Sequence, residues 1–570
     1  MTSMLGVVLQ SQGARGKVRC VALQSKGHAT TNCYIIMKTV AVIGAGASGL
    51  TAIKSCLEEG LKPTCFERSD YIGGLWHYTE TIEEDQSCVM KSTVTNTSKE
   101  MMCFSDFPMP DQYPVFMYCD KVERYLNLYS DAFDLKKYIQ HQTEVINILQ
   151  TKDYPQTGQW KVKVRQKVTG VVTDHVFDAV MICIGHHAQK RVPDFSRYIR
   201  GKVIHTHEYK IVQDFAGKRV LVVGIGNSGG DVAVDAAHVA SQVFISTRRG
   251  RWVVPRLVEK GYPIDMSTST RFNIFMFNML PGLGKSLATK RFNNKIDHKL
   301  YSLQPKHGFV AHQVTINDYL HNLLACGAII LKPKIKTFTR TGVIYDDETV
   351  ENIDAVIMAT GYNFNYPFID DELLKADLSK VNLYKMIFPP GEERHTLSVI
   401  GCIQATGAVL PLSEIQARLV TKVIKGEVTL PSKDEMCKWL DNRKQTITET
   451  HAESENNSIQ VHYIPYLDEI AEMHGSKPDL GKQRRKENTI VNNGVHQRIT
   501  LYQTMFYGNC FFGPCTAYQF RLTGPGKWSG AKDAINSQWK RTFASLRTRE
   551  TGVKQGTGLQ GYLLPFKDIR

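Results

Sequence analysis

The sequence predicts an α/β fold with two parallel-sheet, dinucleotide-binding units. A short apolar strand, a glycine-rich turn and a helix follow one another at residues 40–59, and the same order recurs at residues 220–240. A chain of 570 residues also exceeds what one hydrophobic core serves, so at least two domains are expected.

In the first unit, Val40, Ala41, Val42 and Ile43 form the strand and Leu50 to Glu59 the helix, with Gly60 as its C-cap. Thr64, Cys65 and Phe66 form a second strand that runs into Glu67, which completes a βαβ unit. Between strand and helix, Gly44-Ala45-Gly46-Ala47-Ser48-Gly49 matches G-x-G-x-x-G. Gly44 permits the tight turn, Gly46 lets a pyrophosphate approach the backbone, and Gly49 lets the helix pack closely on the strand. The helix N-terminus offers free N–H groups and partial positive charge to the phosphates. Glu67, about 20 residues after the first glycine, is placed to accept hydrogen bonds from ribose hydroxyls. Together these read as a dinucleotide-binding, Rossmann-like domain. Gly73-Gly74-Leu75-Trp76 follows, as a second glycine pair does in flavoproteins that bind two dinucleotides, and points to FAD in this first site.

The second unit has its strand at Val220 to Val223, its turn at Gly224-Ile225-Gly226-Asn227-Ser228-Gly229, a helix at Asp231 to Ala240 and a strand at Val243 to Ile245. No acid follows that last strand. Arg248 and Arg249 stand where a ribose-reading carboxylate would. A carboxylate repels a 2′-phosphate, whereas an arginine fork binds it through charge-assisted bonds, so NADPH is expected over NADH.

Composition narrows the class. Hydrophobic residues make up 42% and charged residues 22%, as in an ordinary folded protein. The net charge of +15 suits phosphorylated ligands or anionic membrane surfaces; with no nucleic-acid motif present, a nucleic-acid partner is not expected. The 13 cysteines are scattered, which argues against a disulfide framework. No apolar run reaches the ~18 residues of a transmembrane helix. Arg271 to Leu280 does crowd Phe272, Ile274, Phe275, Met276 and Phe277, with Lys285, Lys290 and Arg291 soon after. Apolar bulk beside cations fits either an interfacial segment that dips into headgroups or a buried helix.

The chain resembles the animal-type flavin-containing monooxygenases, of the dimethylaniline monooxygenase kind, in the two glycine motifs and in four further stretches. These are Asn96-Thr97-Ser98-Lys99-Glu100-Met101-Met102, Ala359-Thr360-Gly361-Tyr362, Phe512-Gly513-Pro514-Cys515, and the run from Tyr518 to Trp528. The family pattern F-x-G-x-x-x-H-x-x-x-[FY] reads Ile199 to Tyr209 here and departs only at Ile199. The resemblance spans roughly residues 37–549. It implies FAD reduced by NADPH, reaction with O2 to a C4a-hydroperoxyflavin, and oxygen transfer to a nucleophilic nitrogen or sulfur of a small amine or sulfide. It carries over Asn96 as the catalytic residue beside the flavin and Thr97 as a flavin contact. Thr95, Ser228, Gly229, Gly230 and Asp231 are carried over as nicotinamide-cofactor contacts. His205, His207 and Tyr209 are read as structural.

The expected layout is an extension without structure at residues 1–36, an FAD domain at 37–190, and an NADPH domain at 191–345 with a membrane or substrate-access insertion at 251–330. The FAD domain resumes at 346–549, near the turn Ala359 to Tyr362, and residues 550–570 form a flexible tail. By resemblance the location is the cytosolic face of the endoplasmic reticulum membrane, or the cytosol if the apolar C-terminal anchor of the family is truly missing. A peripheral membrane contact and a homo-oligomer are both compatible with the sequence. Baeyer–Villiger oxygenation of ketones and uncoupled NADPH oxidation stay open as alternatives. A disulfide reductase of similar architecture would need a cysteine pair soon after the first unit, and none follows Gly74.

Overall fold

The computed structural model describes residues 8–12, 17–21, 37–193, 201–305, 314–370, 373–374, 376–377, 380–450, 459–481 and 505–549. Two five-stranded sheets carry the fold. The first runs Leu397–Val399, Ala179–Ile182, Thr39–Ile43, Lys62–Phe66 and Ile139–Gln140, every pair parallel. The second runs Lys202–His205, Ala355–Met358, Arg219–Val223, Gln242–Ser246 and Ile329–Lys332, again all parallel. The central strands Thr39–Ile43 and Arg219–Val223 are apolar runs because both faces of a parallel sheet are covered.

In the first domain the helix Ala47–Glu58 lies on one face and packs against the helix Leu410–Lys425, which arrives from far along the chain. An antiparallel sheet of Thr143–Gln150, Trp160–Gln166 and Val172–Phe177 covers the other face, with Trp160 fully buried. The first domain is therefore assembled from both ends of the chain, with the second inserted between. The two crossings zip together as an antiparallel ribbon, Gln189 opposite Asn363 and Lys190 opposite Tyr362. His205 braces it from below. Its Nδ1 accepts from the His207 backbone N–H, and its Nε2 lies 3.0 Å from the Gly361 carbonyl.

Three expectations change. Ala355–Met358 pairs inside the second sheet, so that domain runs past residue 345 and the return to the first comes after Met358. The second nucleotide helix is Asn227–Ala236, not Asp231 to Ala240, and the first begins at Ala47. In both, the second glycine of the turn is extended and the helix starts directly after it. In the N-terminal extension, expected to be without structure, Val8–Gln12 pairs antiparallel with Lys17–Val21. The tail at 550–570 lies outside the described residues.

Candidate active site

The first glycine turn owes its shape to sterics. Gly44 has φ +97°, a left-handed conformation that side chains resist, and a Cβ there would lie 2.9 Å from the Cys183 carbonyl oxygen. A Cβ on Gly49 would fall 1.8 Å from the Gly44 oxygen, so only glycine lets the helix begin this close to the strand. The Gly73 N–H donates to the Ala45 carbonyl at 3.1 Å, which brings the second glycine pair onto the first. A Cβ on Gly74 would come within 3.1 Å of the Gly46 Cα. Leu75 and Trp76 sit half-buried on the short helix Gly74–Trp76 beside it. Ser48, at the start of the long helix, donates to the Ser413 hydroxyl at 3.1 Å and so links the turn to the helix Leu410–Lys425.

Glu67 is buried. One carboxylate oxygen accepts from the Ala45 N–H at 2.6 Å, and the other from the Ser69 N–H and hydroxyl at 2.9 and 2.7 Å. It therefore braces the glycine turn as well as standing at its mouth, and oxygen lone pairs remain for a ribose.

The second turn repeats the construction. Gly224 has φ +108°, and a Cβ on Gly229 would meet the Gly224 oxygen at 2.2 Å. A Cβ on Gly226 would meet nothing within 4 Å, so the space over this glycine is open. Gly230 packs on Thr315, Ser228 is exposed, and the turn is stitched to 315–317 by side chains. The Thr315 hydroxyl donates to the Ile225 carbonyl at 2.6 Å, and the Ile316 N–H to Asn227 Oδ1 at 2.9 Å. Asn317 donates to Asp231 at 3.0 Å. Burial pushes the Asp231 carboxyl up to about 6, against the pull of the Arg256 charge and the Asn317 hydrogen bond. Arg248 and Arg249 are exposed just past the end of the strand Gln242–Ser246.

Both turns fit the phosphates of a dinucleotide. Neither nucleotide helix has a capping side chain, and neither has an acid in its first turn. Their leading N–H groups are therefore left for an anion.

Asn96 lies in a loop of the first domain and is gripped by the second. Thr95 is buried, its N–H donating to the Met117 carbonyl at 2.8 Å and its hydroxyl accepting from the Met117 N–H at 2.9 Å. Asn96 and Thr97 next to it are half-buried. Asn96 Oδ1 accepts from the Arg256 guanidinium at 2.9 Å. Two residues on, Ser98 donates from its N–H and its hydroxyl to Asp265. Arg256 and Asp265 both belong to the stretch 251–330. Sequence reasoning singled out Asn96 but missed these two partners. One signal was available: Arg256 stands among Trp252, Val253, Val254 and Leu257, and an arginine inside an apolar run is buried only when paired.

His205, His207 and Tyr209 are structural as expected; the Tyr209 hydroxyl donates to Asp235 at 3.0 Å. Cys510 and Cys515 are buried free thiols. Among the described residues no cluster of His, Cys, Asp and Glu is arranged to hold a metal ion.

Comparison with known proteins identifies the family. The model of the flavin-binding monooxygenase-like family matches residues 37–563. Flavin-containing monooxygenase 5 of Cavia porcellus is 44% identical over 520 residues, 90% of this chain and 94% of that one. Flavin-containing monooxygenase 2 of Homo sapiens is 43% identical, again over 90% and 94% of the two chains. Among solved structures, S-allyl-L-cysteine S-oxygenase from Allium sativum shares the fold with a TM-score of 0.60 at 23% identity, covering 89% of this chain and 99% of its own. Cyclohexanone monooxygenase from Rhodococcus sp. Phi1, bound to NADP+, shares it with a TM-score of 0.54 at 16% identity, covering 76% and 97%. The chain therefore belongs to the flavin-binding monooxygenase-like family and is an FAD- and NADPH-dependent monooxygenase.

Proposed function

We propose that this enzyme oxygenates soft nucleophilic nitrogen or sulfur atoms of small molecules, with Asn96 as the side chain that serves the transfer. The carrying observation is the position of the Asn96 amide. It stands on a loop of the first domain, and its oxygen is held by a side chain of the second, at the seam where the two nucleotides would meet. FAD, reduced by NADPH, supplies the activation of dioxygen.

The protein's own contribution is binding, orientation and exclusion of water. Gly44 to Gly49 with Gly74, Leu75 and Trp76 would hold the FAD, its ribose on Glu67. Gly224 to Asp231 would hold the NADPH, with Arg248 and Arg249 on its 2′-phosphate. Asn96 can donate and accept at once, and with its Oδ1 occupied its NH2 is free to donate to the oxygen to be transferred. No side chain need act as a nucleophile. That the named relatives are flavin-containing monooxygenases favours amines and sulfides as substrates. The test is turnover of a tertiary amine, a sulfide and a cyclic ketone under isotopically labelled dioxygen. One labelled oxygen atom in the N-oxide or sulfoxide is expected; label in a lactone, with none in the other two products, overturns the reading.

Peripheral contact with a membrane, at the cytosolic face of the endoplasmic reticulum, is part of the same proposal. The helices Arg271–Met279 and Pro281–Asn293 form a hairpin whose apolar side chains Phe275, Met279, Leu280, Leu283 and Leu287 are all exposed, and Lys285, Lys290 and Arg291 lie among them. A patch of apolar and cationic side chains suits a layer of anionic headgroups. Among the described residues no helix is long and apolar enough to cross a membrane.

A further inference from the structure

We infer that Arg256 is a positioning residue for the reaction: its guanidinium sets which way the Asn96 amide faces. The inference rests on the reading of Asn96 given above and goes beyond it.

Arg256 is delivered by a short parallel ribbon, in which Val253 and Val254 pair with Thr315 and Ile316. Two positions further along each strand stand Arg256 and Asp318. The Asp318 carboxylate accepts from the Arg256 backbone N–H and from its Nη1, each at 2.8 Å. The remaining donors cross to the other domain. Nε donates to the Thr95 carbonyl at 3.0 Å, and Nη2 donates to the Val94 carbonyl at 3.1 Å and to Asn96 Oδ1 at 2.9 Å. The side chain is buried, so water cannot easily replace these bonds.

The chemistry of the two groups then decides the orientation. A guanidinium has five donors and no acceptor. It can meet the amide oxygen but not the amide NH2, and a flipped amide would place donor against donor beside a buried cation. With the oxygen held by Arg256, the NH2 must face the other way. The planar fork grips Val94, Thr95 and Asn96 together, which a lysine ammonium cannot do. The same side chain thus aims the amide and fixes the backbone that carries it.

The test uses the FAD-loaded enzyme and the variants Arg256→Lys, Asp318→Asn, Asn96→Ala and the double variant Asn96→Ala with Arg256→Lys. In Arg256→Lys the yield of oxygenated product per NADPH consumed should fall about tenfold, the worth of a hydrogen bond to a charged group, while NADPH consumption continues. Asp318→Asn, which leaves the arginine in place but removes the negative charge and one of the two oxygens that anchor it, should fall in the same direction. Adding Arg256→Lys to Asn96→Ala should lower the yield no further. A full yield in Arg256→Lys, or a further loss in the double variant, overturns the inference. A full yield in Asn96→Ala overturns the underlying reading of Asn96 instead.

A second readout does not depend on turnover. Deuterium uptake by the backbone at 93–98, in protein without NADPH, should rise in Arg256→Lys and in Asp318→Asn. It should stay at the wild-type level in Asn96→Ala, where the carbonyls of Val94 and Thr95 are still gripped. Unchanged uptake in Arg256→Lys shows that the clamp does not hold the loop, and the inference fails.

Discussion

One oxygen of the Asp265 carboxylate accepts from both the backbone N–H and the hydroxyl of Ser98, at 2.6 and 2.9 Å. The pair joins a helix of the inserted stretch to the loop that carries Asn96. Asp265 is buried, and burial pushes its carboxyl up to about 6 against the pull of these hydrogen bonds.

A pH dependence follows from that shift. The folded state raises the carboxyl above its unfolded value, so folding favours the protonated form. Stability from this group is fully present below about pH 4, the unfolded carboxyl range, and is lost as pH rises through about 6. Asp265→Asn cannot ionise and keeps an acceptor for Ser98. Its Tm relative to the wild type should be highest above pH 7 and should decline as pH falls from 7 to 4, by about 3 kcal/mol at most in stability. Parallel Tm profiles of the two proteins across that range would show that Asp265 is not the titrating group.

Gly226→Ala should separate cofactor binding from folding. A methyl group there meets no protein atom within 4 Å but occupies the space over the turn. The variant should fold, keep its FAD and bind NADP+ at least about tenfold more weakly, on the scale of one displaced phosphate contact. Gly229→Ala, whose methyl group would collide with the Gly224 oxygen, should instead lose stability. Titration of the purified FAD-loaded variants with NADP+, beside their melting curves, checks both; wild-type NADP+ affinity in Gly226→Ala would place the pyrophosphate elsewhere.

The βαβ unit at the heart of each sheet and both glycine turns were legible in sequence, because each rests on local chemistry; the inserted order of the domains came with the family resemblance. An apolar run, a glycine at a left-handed position and an acid at a strand end all leave marks a few residues apart. What was not legible is long-range. Arg256 and Asp265 meet the Asn96 loop across about 160 residues of chain, and nothing near Asn96 announces them. The domain boundary failed for a related reason: Ala355–Met358 reads equally well as a strand of either sheet, and only pairing with Arg219–Val223 assigns it. Arg271 to Leu280 was ambiguous because an apolar helix has the same composition whether its neighbours are side chains or lipid.

Arg248 and Arg249 should confer the coenzyme preference. Both are exposed beyond the strand Gln242–Ser246, where the adenosine ribose of a nucleotide on the second turn would lie. The wild type should prefer NADPH to NADH by at least about tenfold in kcat/KM, and changing both arginines to alanine should abolish the preference. Steady-state kinetics with each coenzyme decides it. A double variant that still discriminates reads the 2′-phosphate through other groups.

The exposed face of the helical hairpin should bind anionic vesicles in a salt-sensitive way. Phe275 and Leu287 are each half or more exposed, whereas Phe277 lies against Gly284 between the two helices. Phe275→Ser with Leu287→Ser should therefore weaken sedimentation with phosphatidylserine vesicles several-fold, roughly the loss of two inserted apolar side chains, and leave Tm and FAD content unchanged. Loss of FAD or of solubility in that variant would mean that these side chains belong to the fold.

The most direct test of the proposed chemistry is the ratio of oxygenated product to NADPH consumed, measured with a tertiary amine or a sulfide in the wild type and in Asn96→Ala. The alanine variant keeps Gly44 to Gly49 and Glu67 and so should keep its FAD. The wild type should give close to one product per NADPH. The variant should consume NADPH and release hydrogen peroxide, with product reduced about tenfold or more by the loss of a positioned hydrogen-bond partner. An undiminished product yield in Asn96→Ala, with full FAD loading, would contradict the role given to Asn96.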